Sequence, residues 1–154
     1  MRKLDLKDSI GTLIFLTSKS MENAAECEIK SKLGLTSSQW KVILALNSFD
    51  GLSQRELADK IYVDGSTLVP VIDKMEKNGL LERKPDPKDR RHNRVYLTKK
   101  SESVVDSIIE IVLQLRKTLY KGLSKDDLES MRPKLKRIIG NADKFLDKSK
   151  SASS

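Results

Sequence analysis

A mainly α fold with a small β-hairpin is what this 154-residue sequence predicts, on three observations. Aromatic residues are only 5% of the chain, with seven glycines and four prolines, which argues against a many-stranded sandwich. Apolar residues recur at helical spacing along most of its length. Between Gly51 and Thr98, two short helical patterns run into two strand-like segments that bracket an arginine-rich loop.

Taken in order, the first helix is expected over residues 5–32, where Leu6, Ile10, Leu13, Ile14, Met21, Ala24 and Ala25 share one stripe. Phe15 is expected in the core, as is Trp40, and Cys27, at the edge of the same apolar face near Leu16, is expected to be a buried or half-buried thiol. Thr36 and Gln39 form a capping box, in which hydroxyl and side-chain amide each satisfy a backbone N–H that the first turn leaves unpaired. A second helix therefore begins at Ser37 and buries Trp40, Ile43, Leu44 and Leu46. Ser53 and Glu56 repeat the device, so a third helix starts at Gln54, buries Leu57, Ala58 and Ile61, and ends near Lys60. Tyr62, Val63 and Asp64 make a turn. Asp64 or Ser66 can cap the fourth helix, which carries Leu68, Val71, Ile72 and Met75 inward and stops where Asn78-Gly79 supplies a left-handed cap. Ser66, Thr67, Val69, Pro70, Asp73, Lys74 and Lys77 then face outward. Residues 80–84 and 94–98 alternate as strands, and Pro85-Asp86-Pro87 with His92-Asn93 mark the nine-residue loop between them, His92 being an exposed loop residue.

Two helices at a tight turn followed by a basic hairpin make a winged helix-turn-helix, an arrangement that reads duplex DNA. The net charge of +8 favours a polyanionic partner, although basic composition alone also fits membrane surfaces. Distribution decides: residues 83–94 hold six Lys or Arg against two acids. On the fourth helix, Ser66 and Thr67 are placed for hydrogen bonds to bases or phosphates, and Val69 and Pro70 for contact with thymine methyls. Arg or Asn able to pair a base bidentately is missing from this face, so shape is expected to carry a large share of specificity. On the loop, Arg90 and Arg91 can enter a narrow minor groove, with Asp89 two residues before Arg91 to orient its guanidinium. Lys74, Lys77, Lys88, Arg94 and Arg55 are assigned to phosphates, where they add affinity and salt dependence, and Gln54, beside Arg55 on the preceding helix, is expected to bind DNA.

These residues resemble the MarR-type transcriptional regulators. The resemblance is carried by Leu35-Thr36-x-x-Gln39, Ser53-x-x-Glu56-Leu57-Ala58 and the run from Ser66 to Glu76. It continues through Asn78-Gly79-Leu80-Leu81-x-Arg83, Asp86-Pro87-x-Asp89-Arg90-Arg91 and Val95-x-Leu97-Thr98. It spans residues 35–98. After Thr98 the family usually places a glycine where Lys99-Lys100-Ser101 stands here. The resemblance implies Arg91 as minor-groove probe, Asp89 as its orienter, and a base in which first, fifth and sixth helices of two chains interlock. It also implies a repressor released by a small lipophilic or phenolic ligand held between that base and the DNA-binding lobe.

The flanks suit such pairing. Across residues 101–121, apolar positions from Val104 to Leu119 spread over roughly 200°, about twice what a one-sided surface helix needs, so two sides require cover, from a second subunit or the terminal helices. A last helix opens on Ser124 with Asp127, carries Leu128, Met131, Leu135, Ile138, Ile139 and Phe145, and is expected to kink at Pro133. Seven Lys or Arg among residues 132–150 read as a solvated face. The expected organisation is an N-terminal helix of the dimerisation base (1–35), the DNA-binding lobe (36–98), C-terminal dimerisation helices (99–148) and a disordered polar tail (149–154).

Expected partners are double-stranded DNA, a second copy of the chain and a small-molecule effector, with no cofactor and no metal, since one cysteine and one histidine make no ligand cluster. Lacking an apolar run of roughly 20 residues or a signal-peptide pattern, the chain is expected to be cytoplasmic. An enzyme is disfavoured by the lack of a glycine-rich phosphate loop and of a nucleophile with a base. Two alternatives stand beside the regulator reading: a winged helix that binds acidic proteins, and a regulator that responds through oxidation of Cys27.

Overall fold

The computed structural model describes residues 7–49 and 51–151. The first helix, α1 (Ile10–Leu33), begins later than its apolar stripe suggested because Ser9 caps it: the Thr12 N–H donates to Ser9 Oγ at 3.2 Å. Leu6 and the expected start at residue 5 lie outside the described residues. Helix α2 (Ser37–Ser48) starts on the complete Thr36/Gln39 box, and α3 (Gln54–Ile61) on the complete Ser53/Glu56 box. Between them stands a strand too short to show periodicity, β1 (Leu52–Ser53). Helix α4 (Gly65–Lys77) follows, then β2 (Leu81–Pro85) and β3 (Asn93–Leu97). The three strands form one antiparallel sheet in the order β1-β3-β2, with Leu81 opposite Leu97 and Pro85 opposite Asn93. Each hairpin strand is shifted by one residue from expectation, and Pro85 and Asn93 join the ladder, which shortens the tip to residues 86–92.

One core holds these elements. Ile29 of α1, Val42 and Ile43 of α2, Leu57 of α3, Leu68, Ile72 and Met75 of α4, and Val95 of β3 are fully enclosed. Trp40 is buried as expected, but Phe15 is 63% exposed and Cys27 is exposed, against their expected burial. Ile10, Leu13, Ile14 and Leu16 are exposed as well. The helical stripe correctly marked an apolar face, but its first half has no cover within the described residues.

In place of the glycine after Thr98, a single 3-10 turn (Lys99–Ser101) leads into α5 (Glu102–Leu119). Ser101 is fully buried and its hydroxyl donates to the Thr98 carbonyl at 2.6 Å, which satisfies the turn without glycine. Val105, Ile108 and Ile111 of α5 are buried, while Leu113 and Leu119 are exposed.

The chain divides into two compact units between Arg116 and Lys117. The second contains α6 (Lys125–Ser151), opened by a reciprocal pair in which Ser124 N–H donates to Asp127 Oδ2 at 2.8 Å and Asp127 N–H to Ser124 Oγ at 3.1 Å. Helix α6 runs through Pro133 and on to Ser151. The polar tail expected from residue 149 is thus helical at 149–151, where the Ser149 hydroxyl donates to the Phe145 carbonyl; residues 152–154 lie outside the described residues. Helix α6 has no buried residue, and Met131, Leu135, Ile138, Ile139, Phe145 and Leu146 are all exposed.

Candidate nucleic-acid interface

Helices α3 and α4 are joined by a turn whose pivot is Tyr62, at φ 56° and ψ 50°. Its left-handed conformation costs an L residue about 1–2 kcal/mol, and the ring, 94% exposed, has no packing to offset that. The turn delivers α4 with Asp64 at the N-cap position, although its side chain makes no capping bond; neither Ser66 nor Thr67 caps the helix. Leu68, Ile72 and Met75 fix α4 to the core, with Val71 half-buried, so Ser66, Thr67, Val69, Pro70, Asp73, Lys74 and Lys77 are left exposed on the opposite side. Gly79, at φ 72°, ends the helix. Pro70 has no N–H for the Ser66 carbonyl, which leaves that oxygen available on the exposed face.

Two arginines fasten the hairpin to these helices. Strand parity shows how: Arg83 lies two residues after the buried Leu81 and opposite the buried Val95, so it points inward, toward α4. There its Nη2 donates to Asp73 Oδ1, its Nη1 to Glu76 Oε2, and its Nε to Gln54 Oε1 at 3.1 Å. Arg94 was expected among the phosphate contacts but is engaged inside the lobe. Its Nε donates to Asp86 Oδ2 at 2.6 Å and its Nη1 to the Gly51 carbonyl at 2.9 Å and, more weakly, to Glu56 at 3.4 Å. Asp86 is itself buried and also accepts from the Lys88 backbone N–H at 2.8 Å. That amide and the Arg94 guanidinium hold the Asp86 carboxyl below its ordinary range.

At the tip, Asp89 and Arg91 form the expected bidentate pair: Arg91 Nε donates to Oδ1 at 3.0 Å and Nη2 to Oδ2 at 2.8 Å. The Arg91 backbone N–H adds a third bond to Oδ1, and these contacts lower the Asp89 carboxyl. Held at its base, the Arg91 side chain stays 86% exposed. Lys88, Arg90 and His92 are exposed beside it, and Arg55 is exposed on α3. Arg83, Asp73, Glu76, Asp86 and Gly51 complete the arrangement, although the sequence had assigned none of them a bonding role in it. Parity with Leu81 was the available signal for Arg83; nothing local pairs Asp86 or Gly51 with Arg94.

An exposed, small-residue second helix beside an arginine-tipped hairpin defines a winged helix-turn-helix regulator of transcription. The chain belongs to the MarR family, whose sequence profile matches residues 35–92. The transcriptional regulator PA3341 is 31% identical, with a TM-score of 0.81, over 88% of this chain and 99% of that one. The regulator SarZ of Staphylococcus haemolyticus is 25% identical over 136 residues, 88% of this chain and 90% of that protein. CouR of Rhodococcus jostii, in a structure bound to p-coumaroyl-CoA, superposes with a TM-score of 0.73 at 25% identity, over 88% of this chain and 95% of that one. The family and these relatives are regulators, not enzymes. Among the described residues no helix is long and apolar enough to cross a membrane.

Proposed function

We propose that the protein is a dimeric repressor that holds a near-palindromic operator and is released by a small lipophilic or phenolic ligand. The observation that carries the DNA reading is the Asp89-oriented Arg91 at the hairpin tip, beside the exposed face of α4. In this reading residues 36–98 form the DNA-binding lobe. Ser66, Thr67, Val69 and Pro70 enter the major groove, and Arg91, with Arg90 beside it, probes the minor groove. Gln54, Arg55, Lys74, Lys77 and Lys88 neutralise or bond phosphates. Arg94 is read as a brace, because its Nε and Nη1 donors are engaged inside the lobe.

Pairing is supported by the exposed apolar residues of α1 and of α6, which a second chain would cover. Two-fold symmetry sets the half-sites about one helical turn, ~34–36 Å, apart. The effector has a candidate seat in a crevice of about 720 Å³ lined by α1, α2 and the end of α3, with Phe15, Trp40 and Phe49 among its walls. Lys60 Nζ lies 3.7 Å from the centroid of the Phe49 ring, and Lys41 pairs with Glu22 at the same crevice. Aromatic walls with lysines suit a planar anion, and an effector oxygen would give the buried Trp40 Nε1–H the acceptor it lacks. Such a ligand releases DNA only by binding better to a state whose spacing does not fit the operator.

Sedimentation of the purified chain together with selection from a randomised duplex library tests the reading. A dimer that enriches an inverted repeat is expected. A lone subunit with no preference among duplexes overturns it.

A further inference from the structure

The Arg83 guanidinium reaches three elements at once: β2, which carries it, α4 through Asp73 and Glu76, and α3 through Gln54. Its side chain is only 19% exposed, so it is poorly placed to touch DNA itself. What it does to Gln54 is directional. The amide of glutamine has one accepting end and one donating end, and Arg83 Nε takes the accepting oxygen. The Nε2 end is left with no partner among the described residues.

Two further features place that donating end toward phosphate. Asp73 lies on the exposed stripe of α4 with Ser66, Pro70 and Lys77, spaced at helical intervals. Because one guanidinium spans Asp73 and Gln54, the amide stands beside the face of α4 assigned to DNA. Gln54 is also the first residue of α3, where the capping box satisfies the Glu56 N–H through Ser53 Oγ while the Gln54 and Arg55 N–H groups have no partner within the helix. The free N–H groups and the positive end of the helix dipole thus lie at the residue that carries this amide.

We propose that Arg83 is a positioning residue for DNA: by holding the Gln54 carbonyl oxygen it turns the Gln54 Nε2–H donors onto a backbone phosphate at the N-terminus of α3. This rests on the DNA-binding reading above. A free glutamine would sample both amide orientations, one of which sets oxygen against phosphate oxygen. Held by Arg83, it presents only the donor. The contact adds affinity for any duplex and carries no sequence information.

The test exploits opposite signs in stability and affinity. In the full-length chain, Gln54→Glu gives Arg83 a third charged partner beside Asp73 and Glu76, so its thermal midpoint should equal or exceed that of the parent. The same change sets a carboxylate against phosphate, and binding to a random-sequence duplex, followed by fluorescence anisotropy, should weaken about tenfold, the scale of one charge-assisted hydrogen bond. Gln54→Ala should weaken it by less. Arg83→Lys, which keeps the charge near Asp73 and Glu76 but loses the Nε donor, should weaken binding in the parent and have no effect in the Gln54→Ala background. Parental affinity in Gln54→Glu, or an equal cost of Arg83→Lys in both backgrounds, overturns the proposal while leaving the DNA-binding reading intact. Failure of the parent chain to bind duplex at all removes both.

Discussion

Asp86, the first residue beyond β2, is bonded to Arg94 of β3 at 2.6 Å and so locks the hairpin tip to the strand that leaves it. Removing that charge should loosen the wing. Asp86→Asn keeps the shape but not the ion pair, so a lower thermal midpoint at neutral pH is expected. The pH dependence follows from the lowered carboxyl: its contribution is fully present above the ordinary aspartate value of about 4 and is lost as pH falls through the depressed folded value. Thermal melts from pH 7 downward should therefore show parent and variant converging in acid. A gap that persists unchanged into acid would mean that the ionised carboxylate is not what Asp86 contributes.

Arg91 and Lys77 should fail differently. In the proposed reading Arg91→Ala removes a groove contact that Asp89 orients, and operator binding should weaken on the order of tenfold or more, with poorer discrimination against GC-rich flanks. In the same reading Lys77→Ala removes a phosphate contact, so every duplex should weaken alike and the slope of log affinity against log salt should become shallower by about one unit. Titrations at several salt concentrations on specific and random duplexes separate the two. Identical behaviour would mean that wing and helix are not divided into reading and anchoring parts.

Two left-handed positions should respond in opposite directions. Tyr62→Gly relieves the strained turn between α3 and α4, and a gain of about 1 kcal/mol is expected, partly offset by glycine's greater chain entropy. Gly51→Ala meets both problems at once: φ is 68°, and the added methyl would fall within 3 Å of the Tyr96 ring. A loss of about 2 kcal/mol is expected. Urea denaturation of the three proteins gives both signs in one experiment.

If a second chain covers α6, a charge on its apolar face should separate the subunits. Ile139 is a large exposed side chain of α6, and Ile139→Asp is expected to shift the sedimenting species to a single chain without unfolding the DNA-binding lobe. Retention of the parental mass would place the subunit contact elsewhere.

Much of the lobe was legible because its signals are local. Capping boxes at Thr36 and Ser53 act over three residues, and Asp89 reaches Arg91 over two, so side-chain type and spacing suffice to find them. The internal bonds of Arg94 were not legible because its partners come from positions 51, 56 and 86, and a cation in a basic loop looks the same whether it faces water or a buried carboxylate. Strand β1 escaped notice since two residues have no period. Phe15 and Cys27 show a different limit: helical spacing marks which side is apolar, but it does not say whether the same chain covers it.

Glu56 serves two masters. Its Oε2 takes the Ser53 backbone N–H that begins α3, and the same oxygen receives Arg94 Nη1 from β3. Peeling the hairpin away thereby removes one support from the start of the helix, and amide protons there should exchange faster when Arg94 is replaced. One carboxylate oxygen thus ties the start of α3 to the strand that leaves the arginine tip.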